Sequence, residues 1–516
     1  MRLSKSKFTQ GLACHRALWW AVHEPEAPER AVGSELQAIF DQGTRVGELA
    51  RAHVPGGVLI DLPYTQSDER IDATRAAIAG GARVVYEAAF REDDVFVAVD
   101  ILHSAPKGKR GWTLTEVKST TKVKDVHVPD AAVQMHVLQR AGLPIARVEV
   151  MHLNRACRYP DLSDLFTRSD VTAEVVEYLP RVAPEVKAQL VMLRRSKPPA
   201  VDPGEHCTTP YECPFLDRCR PPAPAHAIAT LCHLTAARRE ALVDEGYATI
   251  FDLPDDVELS PAAERQRRSV QNDRIVVEDG LRDVISALEV PIAHLDFETI
   301  SPAVPVWEGC RPYDAVPVQF SVHVEPRRAG ERLQHVAWLA EGSGDPRAPL
   351  ARALVDALSG AKTILVYHAP FEIGRLRELQ EAVPDLAAEL EDIIGRVVDL
   401  LPIVRAYVYH PDFGGRFSLK KVAPALVAGL RYDAMEIGEG GAASRALEGL
   451  LLRPEAMTNA ERGRVREALL AYCEQDTLAT LGVLARMREL TRSTRPRAPS
   501  LRRMRAPLAP GSRERR

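Results

Sequence analysis

The segment at 291–300, PIAHLDFETI, constrains the fold of this chain more than any other. It is apolar enough to be a buried strand, yet it carries two carboxylates, Asp296 and Glu298. Side chains alternate across a strand, so both acids face one side and Phe297 the other. Neighbouring carboxylates in a buried strand repel one another unless a cation lies between them. Two later segments supply partners. AKTILVYHAPFEIGRL reads as a strand running into a helix, with Glu372 near the helix start. REALLAYCEQDTLATLGVL reads as an amphipathic helix with Tyr472 and Asp476 one turn apart on one face. Paired acids, a lone acid and a Tyr/Asp turn can converge on two metal ions about 4 Å apart, the arrangement used for in-line phosphodiester cleavage.

The first 225 residues hold a separate pattern. ARVVYEAAF, VFVAVDILH and GWTLTEVKS are β-branched or aromatic-rich and divided by charged or glycine-containing turns, which predicts a three-strand meander. DAAVQMHVLQRAG then has helical spacing up to Gly142, and ARVEVMHLN reads as a further strand. Asp100 lies in the second of these strands and Glu116-Val117-Lys118 in the third, so Glu116 and Lys118 share a face that Asp100 can reach. Two carboxylates there can hold Mg²⁺, and the lysine can orient a water, although cross-strand charge pairing explains the same residues.

The order of these residues, an acid in one strand, Glu-x-Lys in the next and Gln134 on the following helix, resembles the PD-(D/E)XK nucleases, and most closely the RecB-type and CRISPR-associated branch. The resemblance implies that Asp100, Glu116, Lys118 and Gln134 are catalytic, with Asp100 and Glu116 binding metal. The sequence departs from that branch at Leu138, where a Tyr is expected, and at Gly47, where a metal-binding His is expected. Glu87 either supplies the missing ligand or faces solvent. The later segments resemble the DnaQ-like DEDD 3′–5′ exonucleases of the subclass with Tyr in the last motif. That resemblance implies Asp296, Glu298 and Asp476 as metal ligands and Tyr472 as the group orienting water. The middle motif reads His368-Ala-Pro-Phe371-Glu372 in place of Asn-x-x-Phe-Asp, putting Glu372 at the fourth ligand position. Asp399 and the SLKK turn fall in the region after that motif. Gly414-Gly415 and Lys420-Lys421 there either touch phosphates or form a loop with a solvated helix start. From LSKSKF to YCEQDT the chain resembles a bacterial family that fuses these two nuclease modules.

Cys207, Cys213 and Cys219 form a C-x5-C-x5-C run without the paired knuckles of most zinc sites, and Cys14 stands alone near the N-terminus. The RecB-like resemblance implies these four as ligands of a 4Fe–4S cluster that ties the two ends of the first module together. Zn²⁺ is the alternative, since four thiolates suit either. Cys157, Cys232, Cys310 and Cys473 have no such spacing and read as buried thiols.

The expected fold class is α/β. A restriction-endonuclease-like PD-(D/E)XK module with a four-Cys site (1–225) precedes a helical connector (226–285), which either resembles a helix-hairpin-helix element or is a plain linker. An RNase H-like DEDD exonuclease domain (286–490) and a disordered basic tail (491–516) complete the chain. That tail carries nine Arg and one Glu, against a net charge of −4 for the whole chain, and either holds phosphates or merely solubilises. No stretch is apolar for long enough to span a membrane, and the N-terminus has no signal-peptide pattern, so a cytoplasmic location is expected. The expected function is a Mg²⁺- or Mn²⁺-dependent nuclease acting on DNA in repair, recombination or defence. Two alternatives stand beside it: a nucleic-acid-binding scaffold with degenerate sites, and an RNA-processing 3′–5′ exonuclease. The chain has no G-x-x-x-x-G-K-[ST] run, so unwinding a duplex would need a helicase partner.

Overall fold

The computed structural model describes residues 2–493 apart from 106, 107, 109, 221, 327 and 329. The arginine-rich tail lies outside the described residues from 494 onward. The chain is mixed α/β, with two large mixed sheets, each carrying one group of the expected site residues. Among the described residues no helix is long and apolar enough to cross a membrane.

The first sheet contains β1 (Leu3–Ser4), β2 (Val58–Leu59), β3 (Val84–Glu92), β4 (Val95–Ser104), β5 (Trp112–Lys118), β6 (Ile145–Leu153) and β7 (Phe166–Asp170). Its order is β2-β3-β4-β5-β6-β7, with β1 pairing alongside β4. The meander is present: β3, β4 and β5 are antiparallel neighbours. The helix His127–Arg140 then crosses over to β6, which lies parallel to β5. Val133, Val137 and Leu138 of that helix are fully buried against Val85, Val97, Val99 and Val148. Leu138 is therefore a core residue, and burial of about 2 kcal/mol of apolar side chain holds the helix there.

After a two-stranded sheet of β8 (Val276–Val277) with β14 (Val408–Tyr409), the second large sheet is built from five strands. These are β9 (Ile292–Ile300), β10 (Val316–Val324), β11 (Gln334–Leu339), β12 (Thr363–Val366) and β13 (Val397–Asp399). The order is β11-β10-β9-β12-β13, antiparallel across the first three and parallel across the last three. β9 is central. Ala293, Leu295 and Phe297 point into a core shared with Leu350, Leu354, Leu376 and Leu390. The other face meets the helix Asn459–Ser493, whose buried stripe runs Leu469, Tyr472, Cys473, Asp476, Thr480, Val483, Met487. Apart from the adjacent pair Tyr472-Cys473 that stripe keeps three- and four-residue spacing, so one amphipathic face carries both core and acidic residues.

Between the lobes, the segment at 226–285 has its own small core of Ile228, Leu231, Leu242, Ile250, Leu253 and Val270. Its helix Ala236–Asp244 ends at a left-handed Gly246, but a 3-10 turn, Ile250–Asp252, follows in place of the second helix start. The lobes also touch directly. Val46, Leu153, Cys157 and Leu165 pack with Ala303 and Val304, and Tyr313 takes a left-handed φ of 64°. The Tyr313 hydroxyl donates to the carbonyl of Ser119, the residue after Lys118.

Candidate functional site

In the first lobe, the register places Asp100 between Glu87 on one side and Glu116 on the other, all on one face. Glu116 is only 1% exposed. Its Oε1 accepts from Lys118 Nζ at 2.8 Å and from Lys5 Nζ at 2.7 Å, and its Oε2 accepts from Gln134 Nε2 at 2.7 Å. Burial alone would push the Glu116 carboxyl up, but Lys118 and Lys5 overcome it and hold the pKa well below the carboxylate range. Lys118 also donates to Asp130 at 2.6 Å. Asp100 Oδ2 accepts from the Val117 amide at 2.7 Å. Burial and the facing Glu116 push its pKa up to about 7. Glu87 is half-buried and held at the site: Tyr64 donates to it at 3.0 Å and Arg70 pairs with it at 3.5 Å. A cleft beside Asp100 is lined by Gly47, Arg51, Tyr64, Arg70 and Glu87.

The sequence reading missed Lys5 and Asp130. Lys5 opens the first helix, 111 residues from Glu116, and no local pattern links them. The donor set fits a hard cation at Asp100, which has no cationic side chain bonded to it among the described residues, better than at Glu116, which two ammonium groups already neutralise.

The four thiols of the first lobe face one another. Cys14 is an extended residue between the helices Lys5–Ala13 and His15–His23, and breaks what reads in sequence as one helix. The Cys213 amide donates to the Cys207 carbonyl at 2.8 Å, and Cys219 ends the short helix Leu216–Cys219. Burial, with the facing sulfurs of Cys14, Cys207 and Cys219, raises the Cys213 thiol. Arg218 braces this loop on the N-terminal segment through Glu29, with bonds of 2.6 and 2.8 Å.

The second lobe brings together Asp296, Glu298, Tyr472 and Asp476, with Cys473 among them. Donor atoms of Asp296, Glu298 and Cys473 lie within 4.8 Å of one another. Glu298 is 8% and Asp476 7% exposed. Burial, then Asp476, Glu298 and Glu372, drive the Asp296 carboxyl well above its ordinary range. Burial and Asp476 push Glu298 up to about 8. Tyr432 donates to Asp476 Oδ1 at 2.6 Å. Lys420 Nζ donates to the Tyr472 hydroxyl at 2.7 Å and to the Gly438 carbonyl at 2.8 Å. Lys420 thus points into the site, and Lys421 is exposed.

Glu372 is on the helix Ala369–Ala382, 3% exposed, with Oε2 buried and lacking any partner among the described residues. Burial pushes it up to about 8. Asp399 has a structural job. It accepts from the amides of His368, Ala369 and Leu401, each at 2.9 Å, tying together the starts of two helices. Gly415, at φ 78°, is required by packing, since a Cβ there would lie 1.9 Å from the Thr230 carbonyl oxygen. The donor set fits divalent metal: carboxylates that repel one another, one orphaned oxygen, and a single ammonium nearby. Tyr432 was not legible as a site residue, and Lys420 was legible only as a candidate phosphate contact and not as the partner of Tyr472, because these approaches depend on tertiary contacts across 44 and 52 residues.

Fold and site together define a mixed α/β protein with two carboxylate-centred sites, one on each large sheet. Residues 293–418 are similar to a domain of unknown function (DUF2779). That match takes in Asp296, Glu298 and Glu372 and stops before Lys420, Tyr472 and Asp476. No curated protein matches the chain.

Proposed function

We propose that the chain is a metal-dependent nuclease, with a 3′–5′ exonuclease site of the DEDD type on the second sheet and a PD-(D/E)XK-type site on the first. The observation that carries the reading is the convergence of Asp296, Glu298 and Asp476, buried and mutually repelling, with Tyr472 one helical turn from Asp476. The strand order, with the acid-bearing strand central and the last acid on a covering helix, supports an RNase H-like architecture. The meander followed by a helix and a parallel strand supports the restriction-endonuclease-like architecture of the first lobe.

Mg²⁺ or Mn²⁺, when bound, supplies Lewis-acid stabilisation and lowers the pKa of a water. The chain's own residues do the rest. Asp296, Glu298 and Asp476 would hold the cations, and the unpartnered oxygen of Glu372 would be available as a fourth ligand. Tyr432 fixes the Asp476 rotamer. Lys420 saturates one lone pair of the Tyr472 phenol and so turns its proton toward the acids, where it can orient the attacking water.

In the first lobe, Gln134 and Lys118 fix Glu116 while Asp100 and Glu87 face the cleft. The four thiols suit a 4Fe–4S cluster. One thiol from the N-terminal segment and three from the loop at 207–219 gather at one place, the arrangement a cluster tying the two ends of the lobe together requires, with Zn²⁺ as the alternative. DNA is the preferred substrate in repair, recombination or defence, and a duplex substrate would call for a helicase partner. A second reading is favoured by one observation: both Glu116 oxygens are already occupied by side chains, which suits a first lobe that binds nucleic acid without cutting it.

The test is Mn²⁺-dependent degradation of 5′-labelled single-stranded DNA and RNA by the full chain. A stepwise ladder that disappears in Asp296→Asn supports the exonuclease. Activity surviving in that variant and lost in Asp100→Ala assigns cutting to the first lobe. Binding without cutting of either substrate identifies a scaffold.

A further inference from the structure

On the face of the second sheet that the helix Asn459–Ser493 covers, three histidines lie side by side: His294 on β9, His323 on β10 and His335 on β11. His294 is engaged, with its Nε2 on Glu325 at 3.0 Å. The other two stack with ring centroids 4.2 Å apart and planes 12° apart. Glu474 from the long helix completes a group of three donors, all within 4.8 Å of one another. We infer that His323, His335 and Glu474 form a second kind of metal site, for a borderline transition metal of the Zn²⁺ class, separate from the carboxylate site and from the four thiols.

Hydrogen bonding around the two rings supports this. The Thr477 hydroxyl donates to the Glu474 carbonyl at 2.9 Å. Its oxygen is then an acceptor, at 2.8 Å, for His323 Nδ1 and also for the Ser321 hydroxyl. With its own proton on Thr477, the Ser321 oxygen accepts from His335 Nε2 at 3.0 Å. Both hydroxyls therefore hold a ring N–H, which leaves the lone pairs on His323 Nε2 and His335 Nδ1. His335 Nδ1 lies 3.6 Å from Glu474 Oε1. A lone pair facing a carboxylate oxygen is repulsive unless a proton or a metal ion lies between them, and a metal ion also engages His323. Metal-binding imidazoles characteristically have the second ring nitrogen anchored in this way, which fixes tautomer and ring orientation.

Two imidazoles and one carboxylate are a zinc donor set with a position left for water, and are unsuited to Mg²⁺. Zn²⁺ with ligands at about 2.1 Å spaces its donors about 3.3 Å apart. His335 lies on the sheet's edge strand and Glu474 is half-exposed, so these two can close the remaining distance. Bound metal would pin the long helix to β10 and β11 within one turn of Cys473 and Asp476. The inference stands independently of the nuclease reading.

The experiment is Co²⁺ titration of the full chain, read by visible absorption, with thermal unfolding in Zn²⁺ as the second measurement. Cobalt held by nitrogen and oxygen gives ligand-field bands without the charge-transfer band that thiolates add. Wild type is expected to take up one equivalent more than His335→Ala. The rise in Tm with Zn²⁺ should shrink in both His335→Ala and Glu474→Gln. Ser321→Ala, which removes the anchor of His335 and one donor to Thr477 but no ligand, should weaken binding about 10- to 100-fold. Asp296→Asn should keep the bands. Equal uptake and equal Tm response in wild type, His335→Ala and Glu474→Gln would mean a plain His335–Glu474 ion pair and would overturn the site. Loss of the bands in Asp296→Asn would overturn it too, by showing that only the carboxylate site binds metal.

Discussion

Replacing Glu298 by Gln removes one carboxyl from a place where the fold penalises its charge. An ordinary glutamate ionises near 4.5, whereas burial and Asp476 move Glu298 up to about 8. Below pH 4.5 the group is neutral in both folded and unfolded chains and costs nothing. As the pH rises through that value, the unfolded chain releases its proton and the folded one keeps it, so stability is lost progressively until about pH 8. At about 1.4 kcal/mol per pH unit, the loss at pH 7 is about 3 kcal/mol. Burial also raises the neighbouring Asp476, and the two contributions do not add, so a net gain of about 1–3 kcal/mol at pH 7 is the working figure for Glu298→Gln without divalent metal. The assay is thermal unfolding of wild type and variant in chelator at pH 5 and pH 8. The wild type should be the less stable protein at pH 8, with the gap narrowing at pH 5. Mn²⁺ should reverse the order, because metal stabilises only the chain that binds it. A variant less stable than wild type in chelator at pH 8, or parallel pH profiles, would refute the account of these acids as mutually repelling metal ligands.

Tyr472→Phe removes the phenol that Lys420 holds, and should slow cleavage about 10-fold or more while calorimetric Mn²⁺ affinity stays near wild type. Lys5→Ala leaves Glu116 with a single lysine, so acid unfolding of the first lobe should begin at higher pH than in wild type, as followed by circular dichroism. Anaerobically purified wild type should be brown and contain iron. Cys14→Ser should bleach it and lower the unfolding temperature of the first lobe; stoichiometric zinc without iron would exclude the cluster but leave the four-thiol site. Gly415→Ala combines a left-handed φ with a clash on the Thr230 carbonyl and should cost about 2 kcal/mol or more in denaturant unfolding.

What could be read from the sequence was what repeats or alternates locally. The strand of Asp296 and Glu298, the meander of Asp100 and Glu116, and the helical spacing of Tyr472 and Asp476 are all set by periodicity, and all three are present. Cys473 was legible as buried but not as a neighbour of Asp296, 3.6 Å away, because its place depends on how the helix lands on the sheet. Lys5 and Tyr432 are ordinary residues in their own segments and gain meaning only through distant partners, and Lys420, expected to touch phosphates or solvent, instead bonds the Tyr472 phenol. Asp399 had the composition of a site residue and turned out to cap helices, since a carboxylate serves backbone amides as well as metal. The histidines of β9, β10 and β11 were invisible because register between strands is not written in any one of them.

The contact made by Tyr313 has a practical consequence for dissecting this protein. Its hydroxyl reaches past the lobe boundary to the end of β5, and Ala303 and Val304 beside it cover Val46 and Leu165. Cutting the chain near residue 286 would strip an apolar patch from both halves and release the strand end that carries Lys118. Each half produced alone would then report on a damaged surface as much as on its own chemistry. Point substitutions in the intact chain are therefore the sound way to apportion activity between the two lobes.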